Sequence, residues 1–298
     1  MKLFTLLLVM SLALVALAQR PAAPAYPTDI RADVRVEADV AYLSADRAEK
    51  ADLYFPNEMP KGQRLPAVVI IHGGGFNDGD KARAREFNIG GTLARNGYIG
   101  MSINYKLAKN ADGTFSATWP QPLYDAKTAV RWLRKHAARL QVDPDRIGVI
   151  GGSAGGTLAA LLALTGPRDG IEPQEPYGEF SAVVQCAVDF YGPAKLLDYH
   201  DMQTFGKTRA EAPELYTRAS PVTYVDKNDA PLLIVHGTAD ETVSHTQSEA
   251  LNEACRKAGA RCELVLIEGA PHTFDLQPKQ RDLRPLVLGF FEKHLKRP

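Results

Sequence analysis

Six short, mainly apolar runs organise this chain, at residues 66–71, 98–103, 147–150, 182–190, 232–235 and 263–267. They show no steady alternation of apolar and polar positions, so each reads as a strand buried on both faces. A parallel sheet covered by helices produces that pattern. Ahead of them, residues 34–43 alternate as a half-exposed strand does, and 51–55 reads as its neighbour. Helix-spaced patterns lie between the runs. In one, Ala126, Ala129, Val130, Leu133, Ala137 and Leu140 share a face, and Asp143-Pro144 closes it. Another spans 245–258 and stops at Gly259. Repeated strand–helix units predict one α/β domain over 34–298, a mostly parallel, doubly wound sheet with helices on both faces. The irregular stretch 193–229, rich in charged and small residues, is expected to form a small lid over it.

The chain's 298 residues carry 35 Lys plus Arg against 35 Asp plus Glu. That balance supplies no basic stripe, so nucleic acid is not an expected partner. Lys2, the apolar run 3–18 and the ending Ala16-Leu17-Ala18 read as a secretory signal peptide cut after Ala18. Residues 19–33 then form a flexible leader. The run is short for a membrane span, and no Cys follows the cut, so no stable membrane anchor is expected. A secreted or periplasmic location follows. Export permits a bridge between Cys255 and Cys262, but Cys255 also continues the buried side of its helix with Leu251 and Ala258. Both readings stay open. Cys186, in an apolar run, reads as a core thiol, and no Cys/His spacing suits zinc.

Three segments carry chemistry. Gly151-Gly152-Ser153-Ala154-Gly155 follows one strand and opens an apolar helix, which is the strand–turn–helix setting of a G-x-S-x-G nucleophile elbow. A phosphate loop fails there: no G-x-G-x-x-G spacing exists, and Thr157 stands where a Walker loop needs Lys. A purely structural tight turn is the remaining rival. His72-Gly73-Gly74-Gly75-Phe76 ends an earlier strand and leaves backbone N–H groups uncovered, as an oxyanion hole needs; alone it would be an ordinary glycine turn. Asp240 and His272 follow later strands in the order Ser, Asp, His. Ser153 is therefore the expected nucleophile, His272 its base and Asp240 the carboxylate that orients the base. Asp189 ranks second as the acid and Glu241 is a further alternative. His245 is the rival base, although capping or exposure suits it better. His72 is expected to support its loop and His236 to pack, while His136, His200 and His294 read as surface residues.

Together these segments resemble the α/β-hydrolase esterases and lipases related to hormone-sensitive lipase, and among them small exported carboxylesterases such as acetylxylan and feruloyl esterases. The framework phrases 51–56, 102–107 and 124–127 add to the likeness. The resemblance implies oxyanion donors at the Gly74, Gly75 and Ala154 amides, no metal, no cofactor, and a small-molecule or carbohydrate-linked ester as substrate. Phe76, Trp119 and Tyr191 are expected to form apolar pocket walls, with ordinary packing as the other reading. A serine peptidase or amidase of the same fold is the alternative function, and a non-catalytic binding protein a more remote one. Two departures from the group stand out: Lys106-Leu107 where Arg and Pro are common, and Thr273 after His272 where Gly is common.

Overall fold

The computed structural model describes residues 34–296; the expected signal segment and leader lie outside the described residues. In chain order the elements are β1 (Val34–Val40), β2 (Ala51–Pro56), β3 (Leu65–Ile71), α1 (Ala84–Arg95), β4 (Ile99–Ile103), α2 (Gln121–Lys135) and α3 (Ala137–Leu140). They continue through β5 (Val142–Gly152), α4 (Ala154–Leu164), β6 (Cys186–Phe190), α5 (Pro213–Arg218), β7 (Leu232–Gly237), α6 (Thr246–Ala258), β8 (Cys262–Ile267) and α7 (Arg284–Leu295). The eight strands form one sheet in the order β1-β2-β4-β3-β5-β6-β7-β8, in which β2 alone runs against the others. This is the α/β-hydrolase architecture.

Both faces of the sheet are covered, which is why its central strands read as apolar runs. In β3, Ala67, Val69 and Ile71 join the core beneath α2, α4 and α6, while Val68 and Ile70 join the core beneath α1 and α7. α4 is buried all round, as a helix of Gly, Ala, Leu and Thr can be. From β3 the chain passes through α1 to β4 on one side, whereas β5 lies on the other. The loops after β3 and β5 thus diverge and leave a crevice at the strands' carboxyl ends, where open α/β sheets bind ligands.

Three local expectations change. The 182–190 strand shrinks to β6, because the Ser181 and Val183 carbonyls accept from the Arg134 guanidinium instead of entering the ladder. β5 begins earlier than expected, with Leu65 opposite Val142 and Ala67 opposite Ile147, so residues 143–146 bulge outward. Pro144 is tolerated there because a bulged residue owes the ladder no hydrogen bond. The 126–140 helix divides at His136 into α2 and α3. The segment 193–229 holds short turns and α5, and it packs on the sheet side through Leu196, Met202, Phe205 and Tyr216.

Cys255 at the end of α6 and Cys262 at the start of β8 form a disulfide, their Cα atoms 6.0 Å apart. Cys186 is buried, and that burial pushes its thiol pKa far up. For a closed loop of this length the bridge should contribute on the order of 2 kcal/mol through the unfolded chain. We expect Cys255→Ser with Cys262→Ser, or dithiothreitol, to lower the melting temperature by several degrees. Native oxidised protein should titrate no thiol until unfolded, and a thiol that reacts without denaturant would count against this assignment.

Candidate active site

The turn from β5 into α4 places Ser153 at φ 56°, ψ −124°, a strained conformation for a residue with a side chain. It persists because its surroundings over-determine it. Ser153 N donates to the Phe190 carbonyl (2.8 Å), and its own carbonyl accepts from Thr157 N (3.0 Å). The flanking glycines are a steric necessity: a Cβ on Gly151 would lie 2.0 Å from the Gly155 carbonyl oxygen, and one on Gly155 would lie 2.2 Å from that of Ile71. With neither present, α4 starts directly against the ends of β3 and β5, and the serine side chain is turned out into the crevice.

Ser153 Oγ donates to His272 Nε2 (3.1 Å), and His272 Nδ1 donates to Asp240 Oδ2 (2.6 Å). Each residue sits in a loop after a different strand: Ser153 after β5, Asp240 after β7, His272 after β8. Parallel strands bring these loops to one end of the sheet. The Asp240 carboxylate is fully buried yet fully bonded. Its Oδ1 accepts from Thr242 N (2.9 Å) and Val243 N (2.8 Å), while its Oδ2 accepts from His272 and from His236 Nε2 (3.1 Å). Both carboxylate oxygens are thereby satisfied without solvent. The His272 loop is pinned through the Phe274 carbonyl, which accepts from Tyr191 Oη (2.7 Å) and Arg85 Nε (3.2 Å). Thr273 between them takes φ +64°, and the Tyr191 ring lies 4.7 Å from the His272 ring, edge to face. Burial pushes the Tyr191 phenol up to about 12, so it stays a donor.

A cavity of about 380 Å³ opens against Ser153 and His272. Gly73, Gly74 and Gly75 form one wall and Tyr191 another. Arg83, Arg85, Glu86, Tyr199, His200, Thr242 and Thr273 complete it, so no aliphatic side chain lines it. Ala154 opens α4, and the first N–H groups of a helix have no partner within the helix. A nucleophilic oxygen, a base and backbone donors thus surround one space, an arrangement suited to acyl transfer.

The BD-FAE family model matches residues 51–255, a span that includes Ser153 and Asp240. The chain belongs to the BD-FAE family. Among curated proteins it is 30% identical to Esterase LipQ of Mycobacterium tuberculosis over 249 residues, which is 80% of this chain and 57% of that one. It spans 57% to 58% of the length of the three mycobacterial relatives that it matches over most of its own length. Among solved structures it resembles a truncated carbohydrate esterase from gut microbiota, with TM-score 0.81 and 26% identity over 91% of this chain and 99% of that one. It also resembles Thermogutta terrifontis esterase 2 phosphorylated by paraoxon, with TM-score 0.72 and 28% identity over 94% and 100% of the two chains.

Within this BD-FAE member the other expected residues fall into two groups. Tyr191 is among the residues that line the cavity. Phe76 and Trp119 do not, and this corrects the expectation. Phe76 is fully buried and packs edge-on against Tyr105 and Trp119, and Trp119 packs in turn on Phe205. His72 stacks on Tyr105 beneath the glycine loop, and its Nδ1 donates to the Gly73 carbonyl (2.7 Å). His200 is exposed, as expected, and it also lies at the cavity, its ring tilted against that of Tyr199. His236 packs, as expected, but it also bonds Asp240, which no periodicity could announce. The charged lining at Arg83, Arg85 and Glu86 was likewise invisible in the sequence, since it depends on where α1 starts. Of the rivals, His245 is partnered by Glu249 (3.9 Å) and Glu241 is exposed.

Asp189, the second-ranked acid, is buried behind the elbow, where its Oδ1 accepts from Gly192 N (2.9 Å). Burial pushes its carboxyl up to about 7. The unfolded chain releases this proton near pH 4 and the folded chain only near 7, so this group lowers stability as pH rises between those values. Asp189→Asn should remove that slope. Urea midpoints of mutant and wild type should approach each other near pH 4 and favour the mutant near pH 7; parallel curves would show that Asp189 is ionised throughout.

Proposed function

We propose that this protein is an exported serine carboxylesterase acting on short-chain acyl esters, with acetylated or feruloylated polysaccharide fragments as its substrate class. The observation that carries this reading is the continuous line from Ser153 Oγ through His272 to Asp240 Oδ2, opening on a cavity walled by the glycine loop. In the first half-reaction Ser153 Oγ attacks the ester carbonyl carbon while His272 Nε2 takes its proton. The oxyanion accepts from the Gly74, Gly75 and Ala154 amides. Collapse breaks the carbon–oxygen bond, and the departing alcohol takes the proton from His272. In the second half-reaction water attacks the acyl-enzyme, His272 again accepts and returns the proton, and the acid leaves with Ser153 restored.

Two features support the finer assignment. With no aliphatic side chain in the lining, a long acyl chain meets only tyrosine rings and arginine stems, whereas an acetyl group loses little there. Its arginines, glutamate, tyrosine and threonines suit a polar alcohol moiety such as a sugar. The carbohydrate activity named for the gut microbial relative agrees with that choice. Export is supported by residues 1–18 and by the Cys255–Cys262 bridge, since disulfides persist in oxidising compartments.

On p-nitrophenyl acetate, butyrate and octanoate, kcat/KM should fall with chain length, and Ser153→Ala should lose about 10⁴-fold or more in kcat. Paraoxon should inactivate the wild type with one phosphoryl group on Ser153, located by mass spectrometry. Higher rates on matched anilides than on esters would favour the amidase reading, and equal rates for wild type and mutant would remove Ser153 as nucleophile. Protein recovered from the periplasm or medium should begin at Gln19 on N-terminal sequencing. Retention in the cytosol with residues 1–18 attached would overturn export.

A further inference from the structure

Among the buried titratable groups that the mechanism above leaves unused, one is bonded to the triad itself. His236, the fifth residue of β7, has no solvent exposure, yet both of its ring nitrogens are bonded. Nε2 lies 3.1 Å from Asp240 Oδ2 and 2.8 Å from the Val243 carbonyl oxygen, and Nδ1 lies 2.7 Å from Ser248 Oγ. The two neighbours of Nε2 can only accept, so the ring proton sits on Nε2 and donates to both. Nδ1 is then bare and accepts from the Ser248 hydroxyl, itself fully buried. Burial pushes the His236 pKa down, in keeping with a neutral ring.

This arrangement closes a small circuit around Asp240. Val243 gives its N–H to Asp240 Oδ1 (2.8 Å) and its carbonyl to His236, which gives its N–H to Asp240 Oδ2. Oδ2 is the same oxygen that accepts from His272 Nδ1. The chain of contacts thus runs Ser248, His236, Asp240, His272, Ser153.

We infer that His236 is a positioning residue for ester hydrolysis: as a neutral imidazole it holds Asp240 Oδ2 at the His272 ring and shares its negative charge. This inference rests on the Ser153–His272–Asp240 reading of the site. Without the second donor, Oδ2 is free to rotate away from His272 or to bind its proton more strongly, and either change misaligns the base. Its hydrogen bonds go to Asp240, Val243 and Ser248, its ring meets only the Tyr191 ring among the aromatics, edge-on at 6.4 Å, and it does not line the cavity, so its loss acts on kcat and not on KM.

His236→Phe keeps the ring and removes both polar edges. His236→Gln can place an amide N–H where Nε2 stands. His236→Asn, one carbon shorter, reaches toward Ser248 but not to Asp240. With p-nitrophenyl acetate, the Phe and Asn variants should lose about 10- to 100-fold in kcat at unchanged KM, and Gln should restore most of that loss. The proton between His272 Nδ1 and Asp240 Oδ2 gives a second readout. Its low-field ¹H resonance should move further downfield in the Phe and Asn variants, where Oδ2 keeps only one side-chain donor, and should stay near the wild-type position in Gln.

A purely structural His236 would lower the melting temperature of all three variants while leaving that resonance and kcat in place, and this would overturn the inference. Equal losses in Gln and Asn would also overturn it, and this comparison holds even where Phe prevents folding. Ser153→Ala run alongside separates the two levels. Retained activity there would sink the reading of the site itself, whereas an inactive Ser153→Ala beside a fully active His236→Asn would sink only the role given to His236.

Discussion

The site depends on one close approach. α4 begins so near the end of β3 that a single β-carbon on Gly155 would strike the Ile71 carbonyl oxygen, and one on Gly151 would strike Gly155. Because that space exists, the most apolar helix among the described residues can run from the crevice into the core, with its N-terminus beneath Ser153. The strain at Ser153, at φ 56°, is borne by the burial of α4 and by the hydrogen bond from its amide to Phe190. The glycine loop after β3 meets this elbow because β3 and β5 are neighbours whose connections leave in opposite directions.

The same end of the sheet holds two buried carboxylates in contrasting states. Asp240 is surrounded by four donors, two backbone amides and two imidazoles. Asp189 has the Gly192 amide, and burial drives its pKa up to about 7. Asp189 lies within β6, level with Ile234 of β7, whereas Asp240 lies three residues beyond the end of β7. What separates them is the tight turn at 240–243, whose amides converge on one oxygen and whose flanking residues bring His236 to the other. An aspartate that accepts four hydrogen bonds is fixed in place, and the histidine bonded to it is thereby held at the serine.

Several features could be read without coordinates because they follow from local rules. Apolar runs without alternation predicted the parallel strands, the G-x-S-x-G turn located Ser153 between a strand and a helix, and chain order placed Asp240 before His272. The misreadings share a cause. Phe76 and Trp119 were expected at the pocket because they flank the right loops, but their rings found larger partners in Tyr105 and Phe205. The 182–185 segment has strand-like composition, yet the Arg134 side chain takes its carbonyls. Pro144 looked like an end to structure and instead sits in a bulge within β5.

By itself, then, the sequence determined the layered α/β architecture, the elbow and the candidates for serine, carboxylate and histidine. Those follow from periodicity, glycine sterics and spacing, which act over a few residues. Only the tertiary structure decided which groups meet. It joined Cys255 to Cys262, set Asp240 rather than Asp189 against His272, brought His236 from β7 onto the same oxygen, and lined the cavity with Arg83, Arg85 and Glu86. These groups come from different elements of the chain, and their distances depend on strand order and register, which no short window of residues encodes.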